Sequence, residues 1–123
     1  MNKIVGLLNL VYGAQKNHPL EFDNPEKVMY ISDIAVLEKF RGKGCGSELA
    51  KYSIDFTKSL NKYELMYLRT NLVGSMSEGI FKKQGFEIVN DKNGNILTQE
   101  VQFERTKPDL PTSDIRKFLI KKI

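Results

Sequence analysis

The chain has 123 residues, enough for one domain over 1–123 with a core of its own. Its 41% hydrophobic and 28% charged residues are ordinary globular values, and a single cysteine, Cys45, excludes a disulfide framework and a cysteine-rich metal site, which points to a reducing, cytoplasmic setting without a metal centre. The net charge of +4 admits an anionic ligand, but the lysines are scattered with few aromatics between them, so nucleic acid is not a predicted partner.

Lys3 to Tyr12 reads as a strand built on Ile4, Val5, Leu7, Leu8, Leu10 and Val11. Asn9 interrupts its apolar run and Gln15 follows, so the start is neither a signal peptide nor a membrane span, and no membrane partner is expected. Gly13 to Lys27 is polar and carries Pro19 and Pro25, which predicts a loop. Val28 to Val36 is a second strand. Polar Ser32 and Asp33 in its middle mark either a bulge or edge position, or groups that face a ligand cleft. Ser47 to Leu60 has helical spacing, with Leu49, Ser53, Phe56 and Leu60 on one stripe. Tyr63 to Thr70 is a third strand, apolar on both faces, so strand, helix and strand make a βαβ unit.

Ser75 and Glu78 have the spacing of a capping box and open a helix that runs to about Gln84, with Gly85 as its left-handed stop. Phe86 to Asn90 is a fourth strand. Asn93-Gly94 predicts a hairpin turn and Ile96 to Arg105 the returning strand. Pro108 and Pro111 mark a loop. The tail, Ile115 to Ile123, fits a helix stripe through Ile115, Phe118, Leu119 and Ile123, and also a strand through Phe118-Leu119-Ile120.

Between the second strand and the first helix lies Arg41-Gly42-Lys43-Gly44-Cys45-Gly46. Glycines at every second position let the backbone turn sharply and expose its N–H groups, and the helix behind adds its own unpaired N–H groups and positive dipole end. Such a nest suits a phosphate or pyrophosphate. Gly46 is followed by Ser47, so the Walker A lysine is missing, and Ser47 also stands where the dinucleotide fingerprint needs its third glycine. The spacing present is Arg41, Gly44, Gly46.

The stretch from Ile34 to Gly46 resembles motif A of the GCN5-related N-acetyltransferase (GNAT) family, and Phe81-Lys82-Lys83-Gln84-Gly85-Phe86 resembles that family's helix-to-strand motif B. The resemblance covers Lys3 to about Asn90. It implies an α/β fold with a mixed twisted sheet and helices on both faces, shortened at its N-terminus, with the tail as the last strand. It also implies an acetyl-coenzyme A-dependent acyltransferase that acts directly on a small amine or peptide amine. The amides of Arg41, Gly42, Lys43, Gly44, Cys45 and Gly46, with Ser47, would hold the pyrophosphate of acetyl-CoA. Side chains at Gly44 and Gly46 would block it. Ile34, Ala35 and Val36 would offer main-chain groups to the pantetheine arm, in a slot between this strand and Glu64–Arg69. Asn71 would stand in for an asparagine whose usual place is Gly74, and Phe81, at the position of a tyrosine acid in relatives, would be among the cofactor-binding residues.

Amine attack on a thioester needs a free amine, and an alkylamine has a pKa of about 10.4, so a base or water relay is useful. One histidine leaves little material for a histidine-based centre. The position of the glutamate in many relatives is Tyr30. The nearest carboxylate is Asp33, on the opposite strand face unless a bulge rotates it, and Glu21 is a further candidate. With Phe81 unable to give a proton, Tyr67, Ser75, Ser77 or water would substitute. Relatives carry further elements, including two helices, before the strand matching Lys3–Tyr12. The resemblance therefore leaves three readings: an N-acetyltransferase, a non-catalytic acyl-CoA-binding module, or a half-domain completed by a partner chain, possible as a homodimer.

Overall fold

A computed structural model of the chain describes residues 6–102 and 113–123. The start of the first predicted strand, the end of the predicted strand to Arg105, and the loop at Pro108 and Pro111 lie outside the described residues. The described elements are β1 (Gly6–Tyr12), β2 (Val28–Val36), α1 (Cys45–Ser59), β3 (Leu65–Asn71), α2 (Met76–Lys83), β4 (Glu87–Ile88), β5 (Thr98–Gln102) and β6 (Ser113–Lys122). The sheet order is β1-β2-β3-β6-β4, with β5 also on β6. Among the described residues only the β2–β3 pair is parallel. The sheet is therefore mixed, as expected.

Burial of both faces selects a strand for the tail. Phe118 and Leu119 point to opposite faces and both are fully buried, which one helix stripe would not achieve. The Asn93-Gly94 turn forms: Asp91 Oδ1 accepts from the N–H groups of Asn93 at 2.8 Å and Asn95 at 3.0 Å. The strand that follows does not return along β4, however. Beyond an Asn90–Ile96 bridge it runs to β6, so β4 and β5 lie end to end on one edge of that strand.

The helices depart from expectation too. Ala50 and Ile54 of α1 and Ile80 and Phe81 of α2 all join the core made by Met29, Ile31, Met66, Leu68 and Leu119, so both helices cover the same sheet face. The apolar stripe of each helix decides this. The other face, with Val28, Tyr30, Tyr67 and Phe118, is covered by Ala14, Leu20 and Phe22 of the loop after β1 and by Val89 and Leu97. The sheet thus has a helix face and a loop face. The α1 stripe lies one residue from its predicted position, at Ala50, Ser53, Ile54 and Thr57. Ser53 and Thr57 are tolerated there because their hydroxyls donate to the carbonyls of Ala50 at 2.6 Å and Ser53 at 2.7 Å.

At α2, Ser75 caps the Glu78 N–H at 3.4 Å, but Glu78 does not reach back to complete the box. Its carboxylate pairs with Lys117, a buried cation on β6 that also donates to the Leu72 carbonyl at 3.0 Å. The hydrogen bond from Lys117 holds the Glu78 carboxyl below its ordinary value of 4.5. A carboxyl depressed in the folded state stabilises it above the unfolded value, and that contribution is lost as pH falls through the folded value. The urea midpoint should therefore drop below pH 4.5, and Glu78→Gln should flatten that limb. An unaltered acid limb in the variant would count against the pair.

Candidate functional site

One inserted residue shapes the site. Along the antiparallel β1–β2 pair, Asn9 faces Asp33 while Leu10 faces Ile31, so Ser32 is the extra residue of a β-bulge. Asn9 Nδ2 donates to Ser32 Oγ at 2.7 Å, and that hydroxyl donates to the Asn9 carbonyl at 3.3 Å. The bulge reverses the alternation of β2. Ile31 and Ile34 both pack on the helix-face core, although three positions apart. Asp33 and Tyr30 pair with Asn9 and Val11, which share one face of the uninterrupted β1. Asp33 thus turns to the loop face, beside Tyr30.

The same place ends the parallel ladder. β2 pairs with β3 from Val28–Leu65 to Ile31–Leu68, and then the two strands part. Ser32–Val36 and Arg69–Asn71 flank a slot whose main-chain groups lack ladder partners across it, and such groups need a ligand or water. A cavity of about 200 Å³ fills the parting, lined by Asp33, Ile34, Arg69, Asn71, Ser75 and Ser77 among others. A second, of about 320 Å³, continues along Ile34, Ala35 and Val36 to Arg41, Gly46 and Ile80. The two share Ile34, Ser75 and Ser77, so one track runs from the glycine loop to the loop face. Asn71 Oδ1 is buried beside the parting without a hydrogen-bond partner among the described residues, an acceptor available to an amide N–H.

At the far end, Gly44 adopts φ 83° and serves as the N-cap of α1, which begins at Cys45 rather than Ser47. Gly42 has φ 77°, and a Cβ on either residue would meet nothing within 4 Å. The space over this turn is open, and the first turn of α1, with Cys45, Gly46 and Ser47, presents N–H groups that have no intrahelical acceptor. Gly46 has a different reason to lack a side chain: a Cβ there would lie 2.7 Å from Ile80 Cδ1, so glycine lets α1 approach α2. Arg41 Nε donates to the Val36 carbonyl at 3.0 Å and ties the loop to the end of β2. Lys43 and Lys39 sit over the Phe40 ring, with Nζ 5.9 and 5.2 Å from its centroid. These residues fit a bound pyrophosphate with an extended amide-bearing arm.

On the loop face, Tyr30 and Tyr67 meet His18, Arg69 and Gln99, a convergence that sequence reasoning missed. Tyr30 stacks on Tyr67 with centroids 4.8 Å apart, and His18 meets the edge of Tyr30 at 4.9 Å. Tyr67 Oη accepts from the Gln15 N–H at 3.0 Å and lies 2.9 Å from His18 Nδ1. Burial, then the Arg69 charge, pushes His18 down to about 4, so its ring is neutral at pH 7. Burial pushes Tyr67 up to about 12 and raises Tyr30 above 10.0, so both hydroxyls stay protonated. A cleft of about 770 Å³ opens here, lined by Gln15, His18, Arg69, Gln99 and Gln102 among others. No spacing in the loop sequence signals this convergence, and a lone histidine carries no pattern.

Of the residues expected at the site, Asp33, Ile34, Ala35, Val36, Arg41, Gly46 and Asn71 line the track, and Gly42, Gly44, Cys45 and Ser47 form its loop end. Tyr30 lies below the parting, 7% exposed. Phe81 is not on the track. It is fully buried in the helix-face core, edge to face with Phe86 at 5.1 Å, because the stripe of α2 turns it inward. Glu21 is exposed on the loop and does not line the parting. Ser75 and Ser77 line it, their hydroxyls 2.8 Å apart.

Residues 1–86 match the family model described as Acetyltransferase (GNAT) family. No curated protein matches the chain. Similar solved structures include the acetyltransferase of GNAT family from Streptococcus pneumoniae, with 17% identity and a TM-score of 0.70 over 98% of this chain and 60% of that one. A Bacillus subtilis acetyltransferase in complex with CoA shows 16% identity and a TM-score of 0.67 over 99% and 71%. An acetyltransferase from Salmonella typhimurium with acetyl-CoA shows 14% identity and a TM-score of 0.64 over 96% and 57%. The chain thus spans 60% of the length of the first of these structures, and identities this low bear on the fold alone. No helix among the described residues is long and apolar enough to cross a membrane.

Proposed function

Because the chain belongs to the acetyltransferase (GNAT) family, we propose that it binds acetyl-coenzyme A and passes the acetyl group directly to a primary amine. The observation that carries this reading is the parting of β2 and β3 directly before the glycine loop. The first turn of α1 and the amides from Gly42 to Ser47 hold the pyrophosphate, and Arg41 and Lys43 add positive charge. Main-chain groups of Ile34, Ala35 and Val36 hold the pantetheine arm from one side of the slot, and Asn71 Oδ1 accepts from an amide on the other. When bound, acetyl-CoA supplies a thioester: the amine nitrogen bonds to the acyl carbon, the C–S bond breaks and the thiolate leaves.

The acceptor approaches from the loop face. Asp33, turned there by the bulge, takes the proton that the amine must lose, directly or through water. A thiol with a pKa of about 8.5 is a fair leaving group, so the absence of a tyrosine at Phe81 does not stop the reaction. A non-catalytic acyl-CoA-binding module is the second reading, favoured by the inward turn of Phe81. β1 pairs only with β2 among the described residues, which leaves an edge for a homodimer or partner chain.

Calorimetry with acetyl-CoA, followed by thiol release over an amine panel and a mass measurement in solution, separates these readings. The expected result is binding together with thiol release for at least one amine. Binding without turnover leaves the module, and no binding removes both.

A further inference from the structure

We infer that Arg69 reads a carboxylate on the acceptor, so that the substrate is a small amine which also carries a carboxyl group. The inference rests on the transfer reading above and adds the substrate class.

Arg69 is the first residue of β3 past the last ladder pair, Ile31–Leu68. It shares the loop face with Tyr67, and it lines both the parting and the 770 Å³ cleft. It therefore stands where the donor track meets the space open to an acceptor. It is half-buried, its Nη1 donates to the neutral amide oxygen of Gln99 at 3.1 Å, and its guanidinium also meets the neutral Tyr30 hydroxyl. Of the other cations near this end of the sheet, Lys117 pairs with Glu78 and Arg116 with Asp114 at 3.3 Å, while Lys16, on the rim of the cleft, is exposed to solvent. Arg69 makes no ion pair among the described residues. A guanidinium has five N–H donors in a planar fork, and its neutral partners here leave donors free to face the cleft.

Of the remaining neighbours, Glu100 lines the same cleft but accepts from Gln102 Nε2 at 3.1 Å and makes no ion pair with Arg69. His18 is neutral, and Tyr30 and Tyr67 keep their protons. Gln99 is itself occupied, with Nε2 donating to the Asn17 carbonyl at 2.5 Å. On the facing lip of the parting is Asp33, exposed and free of ion pairs among the described residues. One lip is negative and the other positive. An amine facing Asp33 with a carboxylate facing Arg69 satisfies both. An uncharged amine leaves the guanidinium unpaired, and a polyamine meets it with like charge. The fork geometry favours a bidentate carboxylate contact.

Matched amines differing only in the carboxyl group test this: 4-aminobutyrate against butylamine, and phenylalanine against phenethylamine. For at least one pair, kcat/KM should favour the carboxylated member by about 10- to 100-fold, the range for hydrogen bonds to a charged group. Arg69→Gln should collapse that ratio towards one and Arg69→Lys should keep part of it. Calorimetric titration of the same amines, with and without coenzyme A, reads the preference without turnover. A carboxylate preference in binding that Arg69→Gln removes therefore supports the inference even if transfer fails. Equal handling of both members of each pair by the unaltered protein overturns it, whether or not the variants fold. A preference that survives Arg69→Gln also overturns it.

Discussion

Gly44→Glu is expected to lower the affinity for acetyl-coenzyme A by more than about 100-fold, about 2.8 kcal/mol, while the domain stays folded. Gly44 sits at φ 83° with open space over it, at the point where the first turn of α1 begins. An L residue there carries left-handed strain of about 1–2 kcal/mol, against about 5–15 kcal/mol for a typical domain. Glutamate adds bulk and negative charge where N–H groups converge on an anion. Gly44→Asn is the matched control. Asparagine tolerates the left-handed region and brings no charge, so its loss of affinity should be smaller than that of glutamate and reports the bulk alone. Calorimetry reads the affinity and a thermal melt reads the fold. Undiminished affinity in the glutamate variant would make the loop a structural turn only.

Asp33→Asn is expected to lower kcat about 100-fold, the lower end of what a positioned base supplies, with little change in acetyl-CoA affinity. The substitution keeps size and removes charge. Asp33 is preferred over Tyr30 on physical grounds: burial raises the Tyr30 hydroxyl above its ordinary 10.0, so it holds its proton at neutral pH, whereas Asp33 faces solvent at the lip of the parting. An unchanged kcat would move the proton to water. A parallel loss of acetyl-CoA affinity would instead mean that the bulge itself had shifted.

The glycine loop was legible because its chemistry is local. The spacing of Arg41, Gly44 and Gly46 before a helical pattern, with the strand ahead of them, carries the whole arrangement within one stretch of chain. Ile34, Ala35 and Val36 were readable for the same reason. The acceptor side was not. Whether Asp33 faced the site turned on a bulge, and the bulge depends on how Ser32 meets Asn9 across two strands. The role of Phe81 was misplaced because alignment by motif position says nothing of rotation about the helix axis. In α2 that rotation puts Phe81 in the core and Ser77 on the track. The long-range meeting of His18, Tyr67, Arg69 and Gln99 draws on three segments with no shared spacing.

By itself, then, the sequence determined the glycine-loop half of the site, since positive φ angles and unpaired N–H groups at a helix start are properties of a few consecutive residues. Only the tertiary structure decided the rest: both helices on one face, β5 on β6 rather than on β4, and Asp33 and Arg69 on opposite lips of the parting. Strand register sets these, and a shift of one residue exchanges every side chain between faces. Burial and pairing between distant segments select the register, and no window along the chain contains both partners.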